Sequence, residues 1–354
     1  MIVKEDCRYF KGYMPCKPHK EKGVHCEGCS YYSKTDFRIL LIKLGAIGDV
    51  IRTTPLLHRL KKEYPNSEIY WLTYFPEVVP SVVDHILNFD LKNIVYLQSV
   101  KFDFLINLDK DIEASALAYQ IEAGVKKGFT LKNGRCAPID DSAMHKWLTG
   151  LWDDLNKANK KNYPEEIFEI CGYEFNKEKY IFELNTNYDW NTNEPRPLIG
   201  LNTGCGARWP TRLWAIQNWI ELARKLKSSG KGVILLGGKD EDERNKLISK
   251  ESGVAYLGYY PLSQFFSLVN QCDLIVTAVS MALHVAIGLG KKVVAFNNIF
   301  NRNEFEMYGL GEIIEPNLNC LGCFKQKFDS QCTVAECMTL ISPQQILDSI
   351  SRLL

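Results

Sequence analysis

The sequence has no surplus of charge: 43 Lys and Arg stand against 42 Asp and Glu, a formal net charge of +1. Nucleic acids and anionic membranes attract a surplus of cations, so neither is indicated as a partner by the chain as a whole. Long hydrophobic runs are missing as well. No stretch approaches the ~18 consecutive apolar residues that a spanning helix needs. The opening residues MIVKEDCRYFKGYMPC are too polar for a secretory signal, so a cytoplasmic, soluble protein is expected. Wholesale disorder is excluded too, because 46% of the residues are hydrophobic and only 24% charged. At roughly 150 residues per domain, 354 residues imply two globular domains or one large one.

Cysteine is the residue in surplus, with 12 in the chain. In a reducing compartment these are thiols or metal ligands rather than disulfides. Cys136, Cys171, Cys205 and Cys272 are scattered and read as small core residues. The other eight fall in two terminal sets. Cys7, Cys16, Cys26 and Cys29 precede the first strand, and the set closes on a Cys-x-x-Cys pair. Four thiols in so polar a segment suit a tetrahedral structural zinc site, with an iron–sulfur cluster as the alternative. Cys320, Cys323, Cys332 and Cys337 form a second candidate set near the C-terminus. Either metal would be structural, because four protein thiolates leave no open position for substrate, and no catalytic metal is expected.

From Lys34 onward strands and helices alternate, the pattern of a parallel α/β sheet. Arg38–Lys43 is a short apolar run suited to a strand buried on both faces. The turn Leu44-Gly-Ala-Ile-Gly48 follows, then Asp49 and a helix ending at Tyr64-Pro65. Ile69–Thr73, Ile94–Leu97 and Phe102–Asn107 read as further strands, and residues 140–172 as helical. The polar stretch Asn187–Pro197 is the best linker. Beyond it the pattern restarts with strands at Leu198–Asn202, Gly232–Leu236, Asp273–Thr277 and Lys292–Phe296. The expected architecture is therefore α/β, two Rossmann-like domains facing each other across a cleft, with Cys-rich terminal segments. The boundaries are 1–34 for the N-terminal metal segment, 35–190 and 191–318 for the two domains, and 319–354 for the C-terminal segment and terminal helix.

Four places carry candidate chemistry. Gly45 and Gly48 let the backbone approach a ligand, and Asp49 stands where open α/β sheets bind ligands; the plain alternative is that Asp49 only caps the helix. The absence of a third glycine argues against ordinary dinucleotide binding. Thr203, Gly204 and Gly206 can present hydroxyl and N–H groups to a phosphate, with Arg208 or Arg212 as its counter-charge, or the segment is an ordinary strand-to-helix loop. Ser280 caps an apolar helix whose N-terminus, at Ala282, favours an anion. His284 either reaches the same anion or is a satisfied structural histidine. Gly238 opens an acidic turn in which a carboxylate can grip a ribose diol, or whose charges only solvate the first turn of a helix.

Together, the segments RILLIKLGAIGDVIRTTPLLHRLKKEYPNSEIYWLT, LIGLNTGCGARWPTRLWAIQNWIELARKLKSSGKGVILLGG and HVAIGLGKKVVAF resemble glycosyltransferase family 9, the ADP-heptose:lipopolysaccharide heptosyltransferases. The resemblance runs from about Phe37 to the C-terminus. It implies a GT-B fold and a metal-independent inverting transfer. A nucleotide-sugar donor would be held mainly by the C-terminal domain, and a glycan or lipid-linked saccharide acceptor by the N-terminal one, at the inner face of a membrane. Asp49 matches the family's general base, Thr203 and Gly204 its phosphate loop, and Ser280 and His284 the ends of its donor motif. The chain departs from the family at three points. Val279 replaces the sugar-contacting aspartate, Ala207 replaces a lysine, and Lys239 stands where an acidic residue is usual. These departures leave open whether heptose is the sugar. They also leave room for a nucleotide-sugar-binding protein without catalysis, or a metal- or redox-responsive regulator on the same fold.

Overall fold

Short aliphatic runs, each too brief for a helix and apolar along its whole length, become strands covered on both faces. The computed structural model describes residues 2–184, 188–206, 210–325, 329, 332–333 and 336–354. Its first sheet contains β1 (Phe37–Ile42), β2 (Ser67–Thr73), β3 (His85–Asn88), β4 (Phe102–Asn107), β5 (Ala123–Lys132) and β6 (Arg135–Pro138). Their spatial order is β3-β2-β1-β4-β5-β6, and only the β5–β6 hairpin is antiparallel. The second sheet contains β7 (Leu198–Asn202), β8 (Gly232–Leu236), β9 (Ala255–Tyr256), β10 (Leu274–Ala278), β11 (Lys292–Phe296) and β12 (Gly311–Ile314). Its order is β12-β11-β10-β7-β8-β9, parallel throughout. Both sheets start in the middle, build outward to one edge and return to build the other. This is the doubly wound order, and it puts a crevice where the direction of winding reverses, between β7 and β10 in the second sheet.

Each sheet has its own core. Leu40, Ile42, Leu72 and Leu105 gather with Leu117 of the helix Ile112–Gln120 in the first. In the second, the indoles of Trp214 and Trp219 meet edge to face at 5.0 Å and adjoin Phe296. The C-terminal helix Pro343–Leu353 adds Ile346 and Ile350 to that core. Its start is fixed by a capping box: Ser342 Oγ accepts from Gln345 N at 3.3 Å, and Gln345 Oε1 accepts from Ser342 N at 2.7 Å.

The chain divides into two units that differ from a simple cut at residue 190. One comprises residues 1–45, 56–144 and 169–173; the other comprises 46–55, 145–168 and 174–354. The segment that carries Asp49 is thus part of the second unit. Within that unit the expected linker is packed rather than free: Trp190 Nε1 donates to Ser267 Oγ at 3.1 Å, and Arg196 pairs with Asp273 at 3.0 Å. Residue 187 at its start lies outside the described residues.

Two local expectations are corrected. Ile94–Leu97 is no strand but part of the helix Leu91–Gln98, because Asp90 caps that helix by accepting from Asn93 N at 2.9 Å. The helix after the glycine turn is broken into Ile47–Thr53 and Pro55–Glu63, since Pro55 lacks an N–H and restricts Thr54 before it. Cys171, Cys205 and Cys272 are buried, and desolvation pushes the Cys272 thiol up to about 12, consistent with inert core residues. Among the described residues, no helix is long and apolar enough to cross a membrane.

Candidate active site

The winding reversal of the second sheet is where the glycine loops meet. A cavity of about 250 Å³ is lined by Asn202 at the end of β7 and Gly204 beyond it, Gly238 and Glu241 after β8, and Ser280 and Ala282 after β10. Asn202 ties the loops together: its Nδ2 donates to Gly204 O at 3.0 Å, Thr277 Oγ1 at 2.9 Å and Ser280 Oγ at 3.4 Å. Ser280 Oγ in turn accepts from Ala282 N at 3.2 Å, capping the helix Met281–Gly288. The positive end of that helix dipole therefore borders the cavity. A larger polar groove of about 590 Å³, lined by Lys160, Arg302 and Glu306 among others, includes none of these loops and not Asp49.

Of the residues expected to hold a donor, the structure brings Gly204, Gly238, Ser280 and Ala282 to the cavity. Others have different duties. Thr203 is buried, with its hydroxyl donating to Asn245 Oδ1 at 2.5 Å. Arg212 is buried and donates to the backbone carbonyls of Val279 and, at 2.7 Å, Cys205. It braces the loops from behind instead of offering an open cation to a diphosphate. Arg208 lies outside the described residues.

The acidic turn supplies one particular carboxylate, and the cavity has an aromatic wall that the sequence does not announce. Glu241 Oε2 accepts from Gly238 N at 2.9 Å, and the side chain occupies the space that a side chain at Gly204 would need: a Cβ there would fall 2.0 Å from Glu241 Oε1. This carboxylate lines the cavity two residues beyond Lys239, where the acidic residue was expected earlier. Tyr260, Leu262 and Phe265 supply an apolar side. No spacing in the sequence marks them.

Asp49 lies inside the first turn of the helix Ile47–Thr53, whose cap position is Ala46, so the capping alternative fails. Its carboxylate pairs with Arg52 at 2.9 Å and keeps a third of its side-chain surface exposed. Arg52 is itself buried. Its guanidinium lies 3.7 Å from the Tyr163 ring centre, and Glu304 stands 3.9 Å from Nη1. Burial alone would lower the Arg52 pKa, but Asp49 and Glu304 hold it above its ordinary value. Burial pushes the Glu304 carboxyl up, against the pull of Lys146 and Arg52. Arg52 at three residues from Asp49 is a helical neighbour by spacing alone, and that signal was present in the sequence.

His284 does not reach the cavity. It is buried beneath the Asp49 helix, with Nδ1 3.3 Å from the Tyr180 hydroxyl. Burial, aided by the Arg52 guanidinium and opposed by Asp49, pushes its pKa down to about 3, so the ring is neutral and not a cation for phosphate. An unfolded imidazole titrates near ~6.5 and takes up a proton that the folded one refuses. This contribution to stability is therefore complete above pH ~6.5 and is lost as pH falls toward 3. Thermal melts between pH 7 and pH 4 should show the wild type losing stability more steeply than His284→Gln. Gly48 is constrained by the same ring, since a Cβ would lie 2.6 Å from His284 Cδ2. Gly48→Ala should destabilise the protein by about 1–3 kcal/mol, read by denaturant melts. Gly45 lies in the other unit, where a Cβ would come within 3.3 Å of the Phe75 ring.

The model of glycosyltransferase family 9 (heptosyltransferase) matches residues 92–327. The chain belongs to this family. It is 23% identical over 296 residues to the lipooligosaccharide heptosyltransferase 2 of Haemophilus ducreyi, covering 72% of this chain and 80% of that one. Among solved structures it is similar to a family 9 glycosyl transferase of Veillonella parvula, with a TM-score of 0.68, 19% identity and coverage of 90% and 97%. It also resembles the ADP-heptose lps heptosyltransferase II of E. coli, with a TM-score of 0.67, 17% identity and coverage of 90% and 98%. The protein is thus a heptosyltransferase-like glycosyltransferase of GT-B type, an enzyme by family.

In this family 9 chain, no group of three or more His, Cys, Asp or Glu side chains among the described residues is drawn together tightly enough to hold an ion. In the C-terminal set, Cys320 is exposed and Cys337 accepts from Asn298 Nδ2 at 3.1 Å. Lys325 and Asp329 stand near Cys332.

Proposed function

We propose that the enzyme transfers a sugar, heptose in the first instance, from a nucleotide-sugar donor to a lipopolysaccharide-type glycan or lipid-linked saccharide, with inversion. The observation that carries this is one shared helix. Met281–Gly288 presents its capped N-terminus to the glycine-loop cavity and, four residues past Ser280, packs His284 against Gly48, next to Asp49. The donor diphosphate would lie at that N-terminus, held by backbone N–H groups, the Ser280 end and the helix dipole. The base would stack on the Tyr260–Phe265 side, with Glu241 taking the ribose diol. Asp49 would accept the proton of the acceptor hydroxyl as its oxygen attacks the anomeric carbon. The bond from that carbon to the diphosphate breaks, and the nucleoside diphosphate leaves with its electron pair, stabilised by the helix end.

Val279, where the family has an aspartate, is buried and gives its carbonyl to Arg212, so sugar selection falls to other cavity residues such as Met281. A lipid-linked acceptor would bring the protein to the cytoplasmic face of a membrane as a peripheral enzyme. The reading is tested by thermal shift with ADP-, GDP-, UDP- and CDP-sugars. One nucleotide class should raise the melting temperature, because a ligand bound only by the folded state stabilises it by mass action. A flat response to all four contradicts the donor site.

A further inference from the structure

Residues 2–36 have almost nothing to fold around. Only Pro18 among them is buried, while Ile2, Tyr13, Met14 and Tyr31 are exposed. Regular structure is limited to the helix Lys17–Lys22 and a single turn at Cys26–Gly28. A polar segment of this length does not fold on its own apolar burial and needs a staple. Even so, the segment takes a defined path. Cys7 bridges Lys34, Arg8 N donates to Ser33 O at 2.8 Å, and Thr35 N donates to Asp6 O at 2.7 Å. Backbone turns start at three of its cysteines: Phe10 N donates to Cys7 O at 2.8 Å, Lys20 N to Cys16 O at 3.0 Å, and Tyr32 N to Cys29 O at 3.3 Å.

Those turns bring all four thiols to one place. Cys7, Cys16, Cys26 and Cys29 line a single cavity of about 30 Å³, together with Lys4 and Tyr32. None of the four is in a disulfide. They surround the cavity without having closed to ligating distances. We propose that this segment binds one zinc ion through Cys7, Cys16, Cys26 and Cys29. The ion draws the sulfurs in to a tetrahedral shell with Zn–S near ~2.3 Å, each thiol giving up its proton on binding. A single ion needs less room than a multi-iron cluster with its sulfides, and a cavity of about 30 Å³ suits the smaller occupant. The Lys4 ammonium, 4.1 Å from the Tyr32 ring centre, offsets part of the negative charge of a tetrathiolate shell.

The role is structural. The stapled segment is fastened to the first unit through Arg8, which pairs with Asp84 and donates to Ser67 O at 2.9 Å at the start of β2. Despite partial burial, Asp84 is held below the usual carboxylate range by the Ile69 N–H and by Arg8. The site and the glycine-loop cavity belong to different units, so this proposal stands or falls apart from the donor reading.

The test uses full-length protein purified without chelator, with Cys320→Ser and Cys323→Ser introduced so that the C-terminal thiols contribute no metal. About one zinc per chain should remain and should disappear when Cys26→Ser and Cys29→Ser are added. Cobalt(II) supplied to zinc-stripped parent protein should give the absorption of a tetrahedral thiolate site. If the N-terminal variant does not fold, the parent decides the question by iodoacetamide labelling and peptide mass. Cys7, Cys16, Cys26 and Cys29 should be protected together and become reactive together once a mercurial displaces zinc. Proteolysis within residues 2–36 should then begin. A metal-free chain whose four thiols label as freely as in denaturant, or a disulfide between any two of them, overturns the proposal. Iron in place of zinc overturns the choice of metal.

Discussion

Asp49→Asn is expected to reduce sugar transfer by about 10²–10⁴-fold while leaving donor affinity near the wild-type value. Asparagine keeps the shape of the side chain but cannot take a proton. The carboxylate is partly exposed, so a hydroxyl can reach it, and Asp49 is not among the residues that line the glycine-loop cavity. The proposed chemistry therefore predicts a split: kcat falls and the donor dissociation constant does not. Initial-rate assays of nucleoside diphosphate release, paired with calorimetric donor titrations, measure the two halves separately. If affinity fell with the rate, Asp49 would be contributing to binding instead.

Arg52→Met should destabilise the second unit by about 3–5 kcal/mol. The guanidinium sits on the Tyr163 ring at 3.7 Å and between two carboxylates, at 2.9 Å from Asp49 and 3.9 Å from Glu304. Methionine fills much of the volume but leaves the buried Glu304 without one of its cations, and Glu304 is already pushed toward its neutral form. Adding Glu304→Gln to Arg52→Met should recover a large part of the loss, because the neutral amide no longer needs a counter-charge. Denaturant melts of the two single variants and the double variant form the cycle. Additive losses would mean that Arg52 acts through Asp49 and Tyr163 and not through Glu304.

The two sheets were legible because a parallel strand covered on both faces writes itself as an unbroken aliphatic run. Leu198–Asn202 and Lys292–Phe296 appear in the structure at the bounds read from sequence. Ile94–Leu97 was misread because its β-branched residues outweighed a cap four residues upstream. The glycine loops were legible for a similar reason, since Gly204 and Ser280 follow recognisable strand ends. The role of Arg212 was not, and for His284 two roles stayed open. A buried arginine on backbone carbonyls and a buried neutral histidine look, in sequence, like a phosphate cation and a phosphate donor. Only burial and partners separate the roles, and both are long-range properties: Arg212 donates to Val279 O across 67 positions, and Tyr180 meets His284 across 104. Tyr260 and Phe265 were invisible because aromatic residues that line a cavity carry no periodic signature.

The most direct test of the central claim is the stereochemistry of the product. Wild-type enzyme incubated with the donor that raises its melting temperature and a saccharide acceptor should release one nucleoside diphosphate for each new glycosidic bond. Proton NMR of that product should show an anomeric configuration opposite to the donor's, as a single displacement assisted by the Asp49 carboxylate requires. A product that retains the donor's configuration would contradict the account, as would undiminished turnover by Asp49→Asn.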